Sequence, residues 1–231
     1  MSIDPDTKPV LTPIPGGFGG NFALDHGDDI HNRALAWLKT IPYQSGDQVI
    51  DLGCGFGGFT LKAAQTHHVV TGIDITPECA VPFRKTMENA DAQFRTDIII
   101  GNMAEKETWQ KTSIPPGSAI AVMAFRSLIW MPVDDLKKTL THAHQALQPS
   151  GRLWFSILSN KAPCISDHQN CLPVEKRHGV ILPKYQKALN MLQPVTPYNL
   201  EEWNAILTAS GFNLVEGKTH KWHIKGCATK A

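Results

Sequence analysis

Apolar residues along this chain fall into short runs separated by stretches of helical periodicity. The runs at 48–52, 69–73, 97–101, 119–125 and 152–158 have strand length and are bounded by glycine or polar residues, so each predicts a buried strand. Between them, Ile30, Ala34, Trp37 and Leu38 share one helical face within 29–39. A second face, of Leu136, Leu140, Ala143 and Leu147, follows the opening residues Pro132, Asp134 and Asp135. Further helices are predicted over 58–66 and over 201–210, the latter ended by Gly211, with closing strands at 212–215 and 222–227. Thr76 is expected to cap a helix with Pro77 in its first turn, and Pro82 to kink that helix or delay its start. Alternation of strand and helix predicts an α/β fold, a doubly wound and mostly parallel sheet with helices on both faces.

Two stretches break the rhythm. Residues 1–28 hold four prolines and the glycines Gly16, Gly17, Gly19 and Gly20, with Phe18, Asn21 and Phe22 among or just after them. They predict an arm, either a disordered terminus or a lid whose aromatic residues fold over a ligand. Residues 159–199 carry five prolines around one short helical segment at 184–192, too long for a bare connection. Their place after the fifth strand puts them above the carboxyl edge of the sheet, so they are expected to cover a substrate. The domain proper is then 29–231.

The chemistry is densest where the first strand ends. Asp51 leads into Gly53, Gly55, Gly57 and Gly58, and the second strand closes on Asp74. Spacing alone satisfies a dinucleotide fingerprint and permits NAD, Asp74 taking ribose hydroxyls. The Asp51 carboxylate argues for a different nucleotide. It would repel a pyrophosphate, whereas the ammonium and sulfonium of S-adenosylmethionine are attracted by a nearby anion.

These residues resemble the class I S-adenosylmethionine-dependent methyltransferases, whose first motif reads as Asp51 to Gly57 does here. The likeness continues in order through Gly72-Ile73-Asp74, through the run from Ile98 to Met103, through Ala119 to Phe125 and through Leu147 to Phe155. It implies a seven-stranded Rossmann-like sheet with an antiparallel last strand and S-adenosyl-L-methionine as cofactor. Cofactor contacts are implied at Asp51, Gly53, Gly55, Gly57, Asp74, Ile75, Asn102, Met103 and Ala124, with Phe18, Asn21 and Phe22 added from the arm. The amides opening the helix at 58 are expected to meet the cofactor carboxylate. Asn102 stands where many relatives carry aspartate. No Asn-Pro-Pro-Tyr type motif follows the fourth strand and no Pro-Cys pair stands there, which argues against DNA-adenine, protein-glutamine and cytosine-C5 methylation.

Composition narrows the partners. The formal charge of +1 provides no broad field for nucleic acid, and no apolar run is long enough to span a bilayer, so a small-molecule acceptor and a cytoplasmic setting are expected. Five cysteines suggest no disulfide framework. Cys164, His168, Cys171 and His178 lack the paired spacing of structural zinc sites, so no metal is expected. His168 and His178 are candidate general bases from the insert, and Arg126 a candidate fork for an acceptor carboxylate. The expected reaction is in-line methyl transfer. Alternatives on the same residues are cyclisation of the cofactor to azetidine-2-carboxylate and methylthioadenosine, an NAD-binding reductase, and a non-catalytic cofactor-binding protein.

Overall fold

A computed structural model describes residues 12–20, 29–42, 44 and 47–231. The predicted strands form one seven-stranded sheet in the order β3-β2-β1-β4-β5-β7-β6. Strands β1 (Gln48–Leu52), β2 (Val69–Asp74), β3 (Thr96–Ile100), β4 (Ala119–Phe125) and β5 (Leu147–Leu158) run parallel to their neighbours in that group. Strand β7 (His223–Lys230) pairs antiparallel with both β5 and β6 (Phe212–Thr219), as the resemblance implies. Order reverses between β1 and β4, and in open sheets that reversal opens a crevice at the carboxyl ends of the strands.

Helices cover the sheet because each carries one apolar stripe. The helices are α1 (Asp29–Leu38), α2 (Gly58–Ala64), α3 (Ala80–Glu88), α4 (Lys106–Gln110), α5 (Val133–Ala146), α6 (Asp167–Cys171), α7 (Pro183–Leu189) and α8 (Leu200–Ala209). Ile30, Ala34 and Leu38 of α1 pack with Val49, Val70 and Trp154 in one cluster. Leu136, Leu140 and Ala143 of α5 join Val122, Leu153, Phe155 and Trp203 in a larger one.

Four local expectations are refined in detail. A 3-10 turn over Pro77–Cys79 precedes α3, so Pro82 is the third residue of that helix, where no intrahelical N–H bond is lost. Thr76 makes no side-chain cap; its N–H instead donates to the Asp74 carboxylate at 2.9 Å. The closing hairpin is longer than predicted, because outward-facing polar residues hid the ends of β6 and β7. Residues 159–199 hold two short helices, α6 and α7, and not one. They are tied to α8 by Arg177, whose guanidinium forks onto both oxygens of Glu202 at 2.8 and 2.9 Å while donating to the carbonyls of Leu172 and Pro197.

Candidate functional site

The glycine loop is fixed by the strand beside it. Gly53 and Cys54 both donate to the Ile73 carbonyl, at 2.7 and 3.3 Å, and Gly55 N–H donates to Asp74 Oδ2 at 2.8 Å. Two of its glycines are required by space and by backbone. Gly53 has φ 70°, and a Cβ there would lie 2.3 Å from the Ser127 Cβ. Gly57 has φ 82°, and a Cβ would lie 2.4 Å from the Met87 Cε of α3.

Beside this loop opens a cavity of about 760 Å3. Of the residues named from the sequence, Phe18, Asp51, Gly53, Gly55, Asp74, Ile75, Asn102, Met103 and Arg126 line it. Gly57 does not: it sets the turn into α2 and the close approach to α3, while Gly53, Cys54 and Gly55 stand on the wall. Ala124 is wholly buried within β4 and is also absent from the wall. Asn21 and Phe22 lie outside the described residues.

Two carboxylates dominate the wall. Asp51 is 3% exposed and accepts from the Thr60 hydroxyl at 2.7 Å. Burial, opposed by that bond and reinforced by the nearby Asp74 charge, pushes its carboxyl up to about 7. Asp74 is 6% exposed; burial raises its carboxyl too, although the amides of Thr76 and Gly55 act against this. Each Asp74 oxygen accepts one of those amides and keeps a further lone pair, which suits two vicinal ribose hydroxyls. A cation bound beside two desolvated acids relieves their cost, whereas a pyrophosphate would increase it. The residues present therefore fit S-adenosylmethionine. Asn102 is partly committed, its Oδ1 accepting the Ala104 N–H at 3.0 Å.

The other lining residues are largely apolar. Ile129, Trp130 and Met131 come from the segment after β4, Leu189 and Met191 from the insert, and Trp222 from the β6–β7 turn. Phe18 sets its ring edge-to-face on Trp130 at 5.5 Å. The arm is held from the insert: Asn190, in a left-handed conformation at φ 50°, donates through Nδ2 to the carbonyls of Ile14 and Gly19, at 2.9 and 2.7 Å. Gly19 N–H returns a bond to the Asn190 carbonyl and Leu192 N–H one to Gly17.

The histidines chosen from the insert are placed elsewhere. His168 is exposed on α6, and His178 uses Nδ1 on the Thr196 hydroxyl at 2.9 Å, while that hydroxyl donates to the Met131 carbonyl. Neither lines the cavity. His31, His220 and His223 do line it. The signal for the last two was a His-Lys-Trp-His run at the tip of a hairpin, legible only once the hairpin's length is known. Arg126 holds φ 63°, an unusual conformation for a long side chain, with its N–H bonded to Ser156 O at 2.7 Å.

Comparison with known proteins agrees with this geometry. Residues 49–151 match the methyltransferase domain family. The chain is 31% identical over 179 residues to the 27-O-demethylrifamycin SV methyltransferase of Amycolatopsis mediterranei, an alignment covering 71% of this chain and 62% of that protein. It is 28% identical over 141 residues to the 23S rRNA (uracil(1939)-C(5))-methyltransferase RlmD of Shewanella woodyi, covering 56% of this chain and 29% of that one. The chain thus spans about three-fifths of the first relative and under a third of the second. Among solved structures, an S-adenosylmethionine dependent methyltransferase from Mesorhizobium loti superposes with a TM-score of 0.63 at 19% identity, over 89% of this chain and 99% of that one, which is a likeness of fold. With the glycine loop, the two strand-end carboxylates and the seven-stranded sheet in place, the chain has the fold of the class I S-adenosylmethionine-dependent methyltransferases, and residues 49–151 match the methyltransferase domain family.

Proposed function

We propose that the protein is a methyltransferase that uses S-adenosyl-L-methionine on a small-molecule acceptor. The observation that carries this reading is one cavity wall combining Asp51, Asp74 and the glycine loop with an apolar set that includes Trp130, Met131 and Trp222. In this reading Asp74 takes the ribose hydroxyls, Asp51 balances the cofactor's cationic end, and Ile75, Asn102 and Met103 surround the base. The bound cofactor would supply an activated methyl group with a neutral leaving group. The chain's own task is then alignment and exclusion of water, and correct orientation alone contributes up to ~7–11 kcal/mol in well-aligned reactions.

Residues 12–20 and the insert at 159–199 act as the cover in this account, supported by the hydrogen bonds that Asn190 makes to the arm. The small-molecule reading is favoured over RNA by the formal charge of +1, since neutralising several phosphates requires a basic face. No helix among the described residues is long and apolar enough to cross a membrane. Free thiols at Cys54, Cys79, Cys164, Cys171 and Cys227 suit the reducing cytoplasm.

Calorimetry with S-adenosylhomocysteine and with NAD tests the cofactor, the expected result being micromolar binding of the first and none of the second. Incubation with S-adenosylmethionine and a metabolite extract should release S-adenosylhomocysteine and a product heavier by one methylene. Release of methylthioadenosine, or methylation of transcribed RNA in place of small molecules, would overturn the reading.

A further inference from the structure

The cavity crosses the reversal between β1 and β4, and its two halves differ in chemistry. Asp51, Asp74 and Asn102 lie at or just past the ends of β1, β2 and β3, on the half that suits the cofactor. On the other half, past the ends of β4 and β5 and at the β6–β7 turn, stand Trp130, Met131, Leu158 and Trp222. Arg126, Lys221 and Lys225 also line that half and set its charge, while the indoles set its shape.

Strand β5 lies between β4 and β7, and its last residue, Leu158, pairs with His223, directly after Trp222. Trp130 follows the neighbouring end of β4, so the two indoles flank Leu158. Each is half-buried, and each is held. The Trp130 ring meets Phe18 edge-to-face at 5.5 Å, and the Trp222 ring meets Tyr185 of α7 in the same way at 6.0 Å. Their backbones are fixed as well. Ser159 N–H donates to the Trp222 carbonyl at 2.9 Å, and Thr196 N–H to the Ile129 carbonyl, just before Trp130, at 2.8 Å. Phe18 pairs with Met191 of the insert as an isolated antiparallel bridge, and both line the same cavity. Aromatic surface is thus in position before an acceptor arrives, which lowers the ordering cost of binding one.

Flat rings stack on an indole or meet it edge-on, and such pairs are worth more than the same area of saturated hydrocarbon. Thioethers add favourable contacts with ring edges, and Met131 and Met191 bring two of them to this wall. Resting on the methyltransferase reading, we propose that the acceptor is a flat aromatic molecule bound against Trp130 and Trp222 over Leu158. Phe18 and Met191, joined to each other, complete its enclosure. An aliphatic acceptor of equal bulk would bury as much surface but gain none of the ring contacts.

The test uses the full chain saturated with S-adenosylhomocysteine, and N-phenyl-1-naphthylamine, an uncharged aromatic dye whose emission rises in apolar sites. The dye should bind, and 2-naphthol should displace it about tenfold more effectively than decahydro-2-naphthol, its saturated counterpart. Trp130→Leu and Trp222→Leu should each weaken 2-naphthol about tenfold, while S-adenosylhomocysteine affinity by calorimetry stays within about twofold of the parent. Trp130→Phe and Trp222→Phe keep an aromatic face and should recover most of that loss. Phe94→Ser is the control for nonspecific binding: Phe94 is 88% exposed and outside the cavity, so this variant should match the parent.

Failure of the parent to bind S-adenosylhomocysteine would sink the methyltransferase reading, whatever the dye does. With S-adenosylhomocysteine bound, absence of dye binding, equal displacement by the two naphthols, or unaltered 2-naphthol affinity in both leucine variants would overturn the aromatic acceptor alone. The preference between the two naphthols is read on the parent, so it decides even where a leucine variant fails to fold. Loss of dye binding in Phe94→Ser would also overturn the proposal, by placing the site on the outer surface.

Discussion

Asp51 is expensive where it stands, and that expense is informative. A carboxyl whose folded value lies near 7 against a usual 3.8 is protonated below neutrality and destabilises the fold as pH rises between those two values, because the unfolded chain ionises first. Asp51→Asn should therefore stabilise the ligand-free protein at pH 8, by about 1–3 kcal/mol, with little effect at pH 4, as chemical denaturation at the two values would read. The same change should weaken S-adenosylmethionine binding at pH 8 and abolish its pH dependence. In the parent, only the ionised carboxylate attracts the cofactor's cationic end, so affinity should rise roughly tenfold from pH 6 to pH 8 by calorimetry. A parent affinity flat across that range would show that Asp51 does not face the cation. Asp51 and Asp74 were legible in the sequence because each ends an apolar run, and a strand's end is a fixed point in an open sheet. His220 was not, because nothing local states which of ten histidines reaches a cavity assembled from distant segments.

At the scale of elements, the strands were readable wherever both faces are buried. Strand β4 was read to its ends from seven apolar residues, while β6 buries only Phe212 fully and was read at half its length. That shortfall hid the turn carrying His220 and Trp222. The insert was read as irregular from its prolines, yet its order comes from polar ties that a hydrophobic pattern cannot register. One is Arg177 on Glu202. Burial alone would raise the Glu202 carboxyl, but the Arg177 fork and the Asn199 amide hold it below its usual value, so this contribution is present above about 4.5 and is lost as pH falls through the folded value. Arg177 is itself buried, and Arg177→Ala leaves Glu202 and two carbonyls unmatched, so a loss of about 3 kcal/mol in denaturation is expected. The other tie is Asn190, whose left-handed backbone and amide hold the arm. Asn190→Gly should keep the backbone but remove two side-chain bonds, and Asn190→Ala should lose both, so proteolysis of residues 12–20 should accelerate in the order parent, glycine, alanine. Equal cutting of all three would show that Asn190 does not hold the arm.

For the whole molecule, the sheet and the cover answer to different forces. Residues 12–20 add no strand to the sheet and bury few core side chains, Ile14 chief among them, so removing residues 1–20 should leave the melting temperature of the ligand-free protein nearly unchanged. The cavity depends on them more directly. A Cβ built on Gly55 would lie 3.1 Å from the Ile14 Cδ1, which places that side chain against the glycine loop, and Phe18 covers Trp130 beside it. A ligand present at 100 times its dissociation constant stabilises a protein by about 2.7 kcal/mol, and at ~2–4 °C per kcal/mol for a chain of this size that is a rise of ~5–10 °C. The full chain should show this rise with S-adenosylhomocysteine. The truncated chain at the same ligand concentration should show a much smaller one, because the ligand leaves faster through an open wall and its affinity falls. A truncated chain that melts several degrees lower without ligand would make the arm part of the core. Equal ligand-induced rises in both chains would show that the cavity is closed without it.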